Sequence, residues 1–182
     1  MTIEEKRYKD INYCLRCGNK LEIVRDREGK IRPECPACGW VFYKNPIPVV
    51  CCVIINDKDE VVLIKRKFEP SASKWAFPSG YMEIDQTPES AAIAEMKEET
   101  GLDGQVVRLI GYKMSPNPFY EKVVSFGFLM KVIGGELKAG DDAEDARLVH
   151  LSQIKELPFI SQNYFLNLEL ERRKERRLKV IK

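Results

Sequence analysis

The chain has 182 residues, 44% hydrophobic and 32% charged, the balance of a globular protein able to bury a sizeable core. With 30 Lys and Arg against 28 Asp and Glu the net charge is +2, so overall charge selects no polyanionic partner. No apolar run approaches the ~20 residues needed to cross a bilayer, and Met1-Thr2-Ile3-Glu4-Glu5 lacks the basic-then-apolar pattern of a secretory leader, which together predict a cytoplasmic protein with no membrane partner.

The first signal in chain order is cysteine spacing. Cys14-x2-Cys17 is followed, after 17 residues, by Cys35-x2-Cys38, and a glycine (Gly18, Gly39) follows each pair. Such glycines permit the tight turns that aim backbone N–H groups at thiolates. Leu21–Arg25 and Lys30–Pro33 flank a turn at Arg27-Glu28-Gly29 and predict a β-hairpin between the pairs. This is zinc-ribbon spacing, with Cys14, Cys17, Cys35 and Cys38 as a tetrahedral Zn²⁺ site. Two disulfides are the alternative; the gap and the missing leader oppose them. Residues 1–44 are too few to hold a core alone. Structural zinc contributes about 10–16 kcal/mol of apparent binding energy in such peptides. Four thiolates leave no open coordination position, so this zinc is expected to be structural rather than catalytic.

Lys44-Asn45-Pro46-Ile47-Pro48 is a stiff connector, and the boundary is expected there: residues 1–44, then 45–182. Strands are predicted at about 48–56 and 60–67, joined as a hairpin by Asn56-Asp57-Lys58-Asp59. Cys51 and Cys52 lie in a continuous apolar run, where cysteine behaves as a small hydrophobe. A nucleophilic pairing with the only histidine, His150, has no support in the spacing. Lys65, Arg66 and Lys67 end the second strand; they are either an edge charge cluster or phosphate contacts. A loop, Phe68–Lys74, leads to a short strand, Trp75-Ala76-Phe77-Pro78, and then to Ser79-Gly80, whose backbone can approach an ion or a phosphate closely.

Residues 80–102 carry the most information. Thr87 suits an N-cap, Pro88 the first helical position and Gly101 the left-handed position past the end, so a helix is predicted over 88–100. Glu95, Glu98 and Glu99 then share one face at i, i+3 and i+4. Glu98 and Glu99 fall in the last turn, where the negative end of the helix dipole makes each acid unfavourable by roughly 0.3–1 kcal/mol. A solvated acidic face is the ordinary reading of E-x-x-E-E. The small residues Ala91, Ala92 and Ala94 and the preceding Ser79-Gly80 favour another: carboxylates gathered for a hard divalent cation, Mg²⁺ or Mn²⁺, shared with substrate phosphates.

This stretch resembles the Nudix box, G-x5-E-x7-R-E-U-x-E-E-x-G-U with U a bulky aliphatic residue. Gly80, Glu95, Met96, Glu98, Glu99, Gly101 and Leu102 fall on the pattern. Gln86 stands where the pattern has Glu and Ala94 where it has Arg; both members of that pair are replaced together. The resemblance implies an α/β fold, the Nudix α/β/α sandwich with a mixed sheet, preceded here by a small zinc-ribbon domain. It implies hydrolysis of a nucleoside diphosphate linked to another group, with Glu95, Glu98 and Glu99 holding Mg²⁺ or Mn²⁺ and acting in catalysis, and with backbone oxygen from Ser79 or Gly80 completing a site. Glu83 is a further candidate ligand. The general base is left open between Glu98 and the acidic loop that contains Asp142 and Glu144.

Beyond the box, strands are predicted at Gln105–Met114, Lys122–Ile133 and near 146–150, with a final helix from about 162. A ribbon ahead of the box resembles the NADH pyrophosphatase and ADP-ribose pyrophosphatase groups. Ser115-Pro116-Asn117-Pro118-Phe119 matches the NADH-group motif S-Q-P-W-P-F-P-x-S poorly, so an ADP-ribose-like or other dinucleotide pyrophosphate is the preferred substrate class. Phe119, Tyr120 and Trp40 are candidates for stacking on a base. The C-terminal stretch Glu169–Lys182 is basic. It is either a solvated helix end or a nucleic-acid contact. The latter gives the alternative, a nucleotide-sensing or RNA-binding module with weak or no catalysis, favoured by Ala94 in place of Arg and opposed by the intact glutamates, nucleic acid being the lesser partner. Family members often dimerise; no residue decides a homodimer.

Overall fold

In a computed structural model, residues 7–140 and 142–180 are described, without the side chains of 177–180; Asp141 of the acidic loop and the last two residues lie outside them. The chain falls into two compact units, one ending at Asn45 and one starting at Pro46.

The first unit is built on a hairpin. Strand β1 (Glu22–Arg25) pairs antiparallel with β2 (Ile31–Glu34), in register from Glu22 opposite Glu34 to Arg25 opposite Ile31. Asp26 closes the turn by accepting from Glu28 N and Lys30 N at 2.9 and 2.8 Å. Its interior holds little more than Cys14, Leu21 and Cys35, with Ile11 and Trp40 against them. So small an apolar cluster stabilises little by itself.

The second unit contains β3 (Ile47–Ile54), β4 (Glu60–Arg66), β5 (Trp75–Ala76), β6 (Ser79–Tyr81), helix α1 (Pro88–Thr100), β7 (Leu102–Asn117), β8 (Glu121–Gly135), β9 (Ala143–His150), a 3-10 turn (Leu151–Gln153) and helix α2 (Ile160–Val180). A four-stranded mixed sheet runs β6-β3-β8-β7, with β3 parallel to β8 and the other pairs antiparallel. A three-stranded antiparallel sheet runs β5-β4-β9.

Strand alternation explains the layering. On β3, Val50, Cys52 and Ile54 pack with Ala91, Ala92 and Met96 of α1. Cys51, Val53 and the following Ile55 pack with Phe165 and Leu166 of α2. Both faces of β3 are therefore apolar and covered, one by each helix, as the α/β/α sandwich with a mixed sheet requires. Cys51 and Cys52 are core residues, and burial pushes both thiols up. Cys52 Sγ donates to Ala92 O at 3.1 Å. His150 instead bonds Ser152 Oγ at 2.7 Å and caps the 3-10 turn.

The predicted β3–β4 hairpin is corrected. Asn56–Asp59 is a turn, with Asn56 accepting from Lys58 N and Glu60 N, but only Ile55 and Val61 bridge across it. The two strands then enter different sheets. Each is an apolar run buried on both faces, and each finds its own pair of neighbours. Other boundaries move. Strands β7 and β8 extend well past Gln105–Met114 and Lys122–Ile133, leaving only a tight turn near Pro118–Tyr120. Pro116 is tolerated because β7 is an edge strand. The short strand ends at Ala76 rather than Pro78, Ser79-Gly80 pairs with β3 as strand β6, and the last helix begins at Ile160.

Candidate active site and cysteine cluster

The four ribbon cysteines converge. Their sulfurs all lie within 4.8 Å of one another, and they are the one group of three or more potential metal donors this close among the described residues. Two matching turns produce this. Gly18 N donates to Cys14 O and Gly39 N to Cys35 O, both at 2.9 Å, while Cys14 N and Cys35 N each bond at 2.8 Å to the residue five further on, Asn19 and Trp40. Gly18 and Gly39 take φ of +76° and +70°, where a side chain is strained. Sulfur separations of 3.5–3.7 Å exclude disulfides, and all six cysteines are free. Asn19 Nδ2 donates to Cys17 Sγ at 3.4 Å and lowers that thiol to about 6, toward the thiolate a metal needs.

The second cluster forms where the chain crosses between the sheets. Leaving β5, it passes through Phe77 and Pro78, both fully buried, and enters β6 at Ser79. Helix α1 runs beside β6. Its start is fixed by a capping box, Thr87 with Ser90, and its end by Gly101 at φ +70°. Ala91, Ala92 and Met96 seat the helix on the sheet, which turns the glutamate face toward Ser79 and Gly80. Glu99 Oε2 accepts from Ser79 N at 2.8 Å. Glu95 lies over Gly80 so closely that a Cβ there would stand 1.9 Å from Glu95 Oε1, a space only glycine leaves open.

The three glutamates are graded in exposure. Glu99 is 4% exposed, Glu95 half-buried and Glu98 exposed. Burial pushes the Glu99 carboxyl up to about 8 against the pull of the Ser79 N–H, and the neighbouring Glu95 and Asp142 charges push it the same way; Arg66 opposes them. A buried carboxylate beside two other acids is a strong candidate for a hard cation. Glu95, Glu99, Ser79 and Gly80 are thus brought together. Glu98 stands at the rim without a described hydrogen bond to them, and the three carboxylates are not gathered to the closeness of the thiols.

Ser79 and Gly80 also line a cavity of about 300 Å³. Phe68, Tyr81, Phe119, Tyr120 and Phe159 contribute to its walls, with Arg66 and Asp142 near the carboxylates. The tip of the β7–β8 hairpin shapes one side. Asn117 Oδ1 accepts from Phe119 N and Tyr120 N at 2.8 and 3.0 Å, and Tyr120 packs edge-on against Tyr81 with ring centroids 5.4 Å apart.

Of the remaining sequence candidates, Phe119 and Tyr120 reach this cavity; Trp40 packs with Phe42 within the first unit. Lys65 pairs with Glu144 at 2.8 Å, which holds the Glu144 carboxyl below its usual range. Lys67 Nζ lies over the Phe68 ring. Glu83 is exposed, and its N–H donates to Gln86 Oε1 at 2.9 Å, so Gln86 closes a local turn instead of reaching toward Ala94. Phe68, Phe159 and Gln162 had no signal in the linear pattern; Tyr81, also missed, adjoins Ser79-Gly80, where one was available.

Residues 45–167 match the NUDIX domain family, well over half the chain. The chain belongs to the Nudix family. Its relatives include the ADP-ribose pyrophosphatase of Methanocaldococcus jannaschii, 42% identical over 119 residues that cover 65% of this chain and 70% of that protein. The NAD-capped RNA hydrolase NudC of Pseudomonas aeruginosa is 27% identical over 148 residues, 80% of this chain and 50% of its own length, so the chain spans about half of that relative. A crystal structure of a Nudix hydrolase from Nitrosomonas europaea superposes with a TM-score of 0.76 at 26% identity, covering 91% of this chain and 93% of that one. This Nudix chain is thus an α/β pyrophosphohydrolase by family, and its cysteine cluster fits a zinc ribbon. No helix among the described residues is long and apolar enough to cross a membrane.

Proposed function

We propose that this chain hydrolyses the pyrophosphate of a nucleoside diphosphate linked to a second group, ADP-ribose or a similar dinucleotide derivative, at the cavity beside α1. One observation carries this reading: the buried Glu99, bonded to Ser79 N and flanked by Glu95 over Gly80, adjoins an aromatic cavity through Ser79 and Gly80. Glu95, Glu98 and Glu99, with backbone oxygen from Ser79 or Gly80, would hold Mg²⁺ or Mn²⁺. Such an ion neutralises charge developing on the phosphate oxygens when bound.

The chain's own residues do the rest. Arg66 is the only cationic side chain among the described residues lining the cavity and is placed to meet a phosphate oxygen. Its Nε donates to Pro70 O at 2.9 Å, which holds the guanidinium in place. Phe119 and Tyr120 offer faces for a base, a contact worth about 1–3 kcal/mol in nucleic-acid complexes. Asp142, on the cavity wall, takes the proton of the attacking water; Glu144 is occupied by Lys65. Cys14, Cys17, Cys35 and Cys38 hold a structural Zn²⁺ in a ribbon domain preceding the hydrolase domain, and six free thiols suit a reducing compartment.

The test is a substrate panel with Mg²⁺ or Mn²⁺: ADP-ribose, NADH, NAD-capped RNA, dinucleoside polyphosphates and nucleoside triphosphates. Cleavage of ADP-ribose or a dinucleotide pyrophosphate, lost in Glu99→Gln and in Glu98→Gln, is the expected result. Tight binding of any of them without turnover would replace the enzyme with a nucleotide sensor.

A further inference from the structure

We propose that Gln162, at the start of α2, is a positioning residue for the carboxylate site. The inference rests on the reading of that site as catalytic. Gln162 is 2% exposed and its amide is fully used. Oε1 accepts from Phe77 N at 3.0 Å, while Nε2 donates to Phe77 O at 3.1 Å and to Ser79 Oγ at 3.3 Å. Both donor hydrogens and the carbonyl oxygen of the amide bond to the crossing segment.

The topology explains why the segment needs this. At Phe77 the chain has left the ladder of β5 and has not yet entered that of β6, so its backbone N–H and C=O have no strand partner. Buried groups of this kind require one. Gln162 supplies both partners from another element. Pro78 has no N–H to satisfy, and its carbonyl accepts from Cys52 N at 2.8 Å. Ser79 N then donates to Glu99. Three consecutive residues are thus held from α2, β3 and α1 in turn, immediately before the glycine on which Glu95 rests.

The tolerance at that glycine is small, since Glu95 occupies the space of an absent Cβ. Loosening Phe77 shifts Ser79 and Gly80 against both glutamates. Gln162 also borders the cavity, but its polar atoms are committed to the main chain and to Ser79, so it acts through them rather than on substrate. A misplacement near 1 Å in such a site costs about 100-fold in rate.

The experiment compares wild type, Gln162→Met, Gln162→Glu and Glu99→Gln as the zinc-loaded 182-residue chain. Each is read at a temperature where circular dichroism shows it folded. Measured are kcat and KM for ADP-ribose with Mg²⁺, and Mn²⁺ affinity by electron paramagnetic resonance. Methionine keeps the volume and removes all three bonds; glutamate keeps the acceptor and removes both donors. Both variants are expected to lose about 30- to 100-fold in kcat with KM within about threefold, and to bind Mn²⁺ about tenfold more weakly. Added to Glu99→Gln, Gln162→Met is expected to cost little more, because both act on one arrangement. Wild-type kcat and Mn²⁺ affinity in the folded variants overturn the proposal. So does failure of both to fold at any temperature, which assigns Gln162 to the fold alone. If instead wild type binds no Mn²⁺ and Glu99→Gln changes nothing, the reading of the carboxylate site fails first.

Discussion

The two candidate metal clusters solve opposite problems. In the first unit four sulfurs meet within 4.8 Å on two nearly identical turns, with main-chain N–H groups already committed. In the second, three carboxylates spread along one helix face from buried Glu99 to exposed Glu98. A closed thiol set can only hold an ion and thereby a fold. A graded acidic set, open on a cavity, leaves coordination positions for a substrate. The difference teaches where each cluster stores its stability. The ribbon has almost no apolar interior, so a bound metal is expected to carry its fold. The helix that bears the carboxylates instead packs through Ala91, Ala92 and Met96 into an extended apolar core.

Removing zinc is the strongest way to test this contrast. A strong chelator, or Cys35→Ser, is expected to unfold the cysteine-bearing first unit while the larger unit stays folded, since about 10–16 kcal/mol of apparent binding energy is lost. Amide hydrogen exchange reads both units at once. Retained protection in the ribbon after zinc loss would break the comparison.

Glu99→Gln comes next. The amide oxygen still accepts from Ser79 N, so the variant should stay folded, with a melting temperature at or above that of wild type at neutral pH, while kcat falls by about 100-fold or more. The same residue gives a pH signature in the absence of divalent cations. Its carboxyl binds a proton more tightly folded than unfolded, so without Mg²⁺ or Mn²⁺ its own contribution to stability is full below about 4.5 and is lost as pH rises toward about 8. The effect is of order a few kcal/mol, the equivalent of a shift of several pKa units on a buried group. Thermal melts across pH should show the decline in wild type and a flatter profile in Glu99→Gln. A flat wild-type profile would show that Glu99 is solvated.

Gly80→Ala sharpens the picture at the helix–strand contact. The new methyl displaces the Glu95 carboxylate, a flexible group, so stability should change little while activity falls roughly tenfold or more. Phe119→Ala and Tyr120→Ala are expected to act on KM instead, raising it about 5- to 100-fold with kcat nearly kept, the range of a lost base-stacking contact. A kcat loss without a KM change would move those rings away from substrate.

Local chemistry was legible in the sequence and remote assembly was not. The box helix could be read to the residue because Thr87, Pro88 and Gly101 act on their own backbone neighbours. The cysteine turns could be read because two residues between thiols and a following glycine fix their geometry. Asn56–Asp59 misled, since a turn signal does not say whether its strands stay in one sheet. The grading of Glu95, Glu98 and Glu99 was invisible in a pattern that treats them alike; it depends on how Met96 and the small alanines seat α1. The cavity joins Phe68, Tyr81, Phe119 and Phe159 across more than 90 residues of sequence, and Gln162 reaches Phe77 from 85 residues away. No short-range rule connects such positions.

The central claim is that α1 presents a divalent-cation site at Glu95 and Glu99 beside Ser79 and Gly80. Titrating Mn²⁺ into zinc-loaded protein and reading free ion by electron paramagnetic resonance tests it most directly. A saturable site in wild type, weakened about tenfold or more in Glu95→Gln and in Glu99→Gln, is the expected result. Equal Mn²⁺ affinity in all three proteins, or none in any, would contradict it.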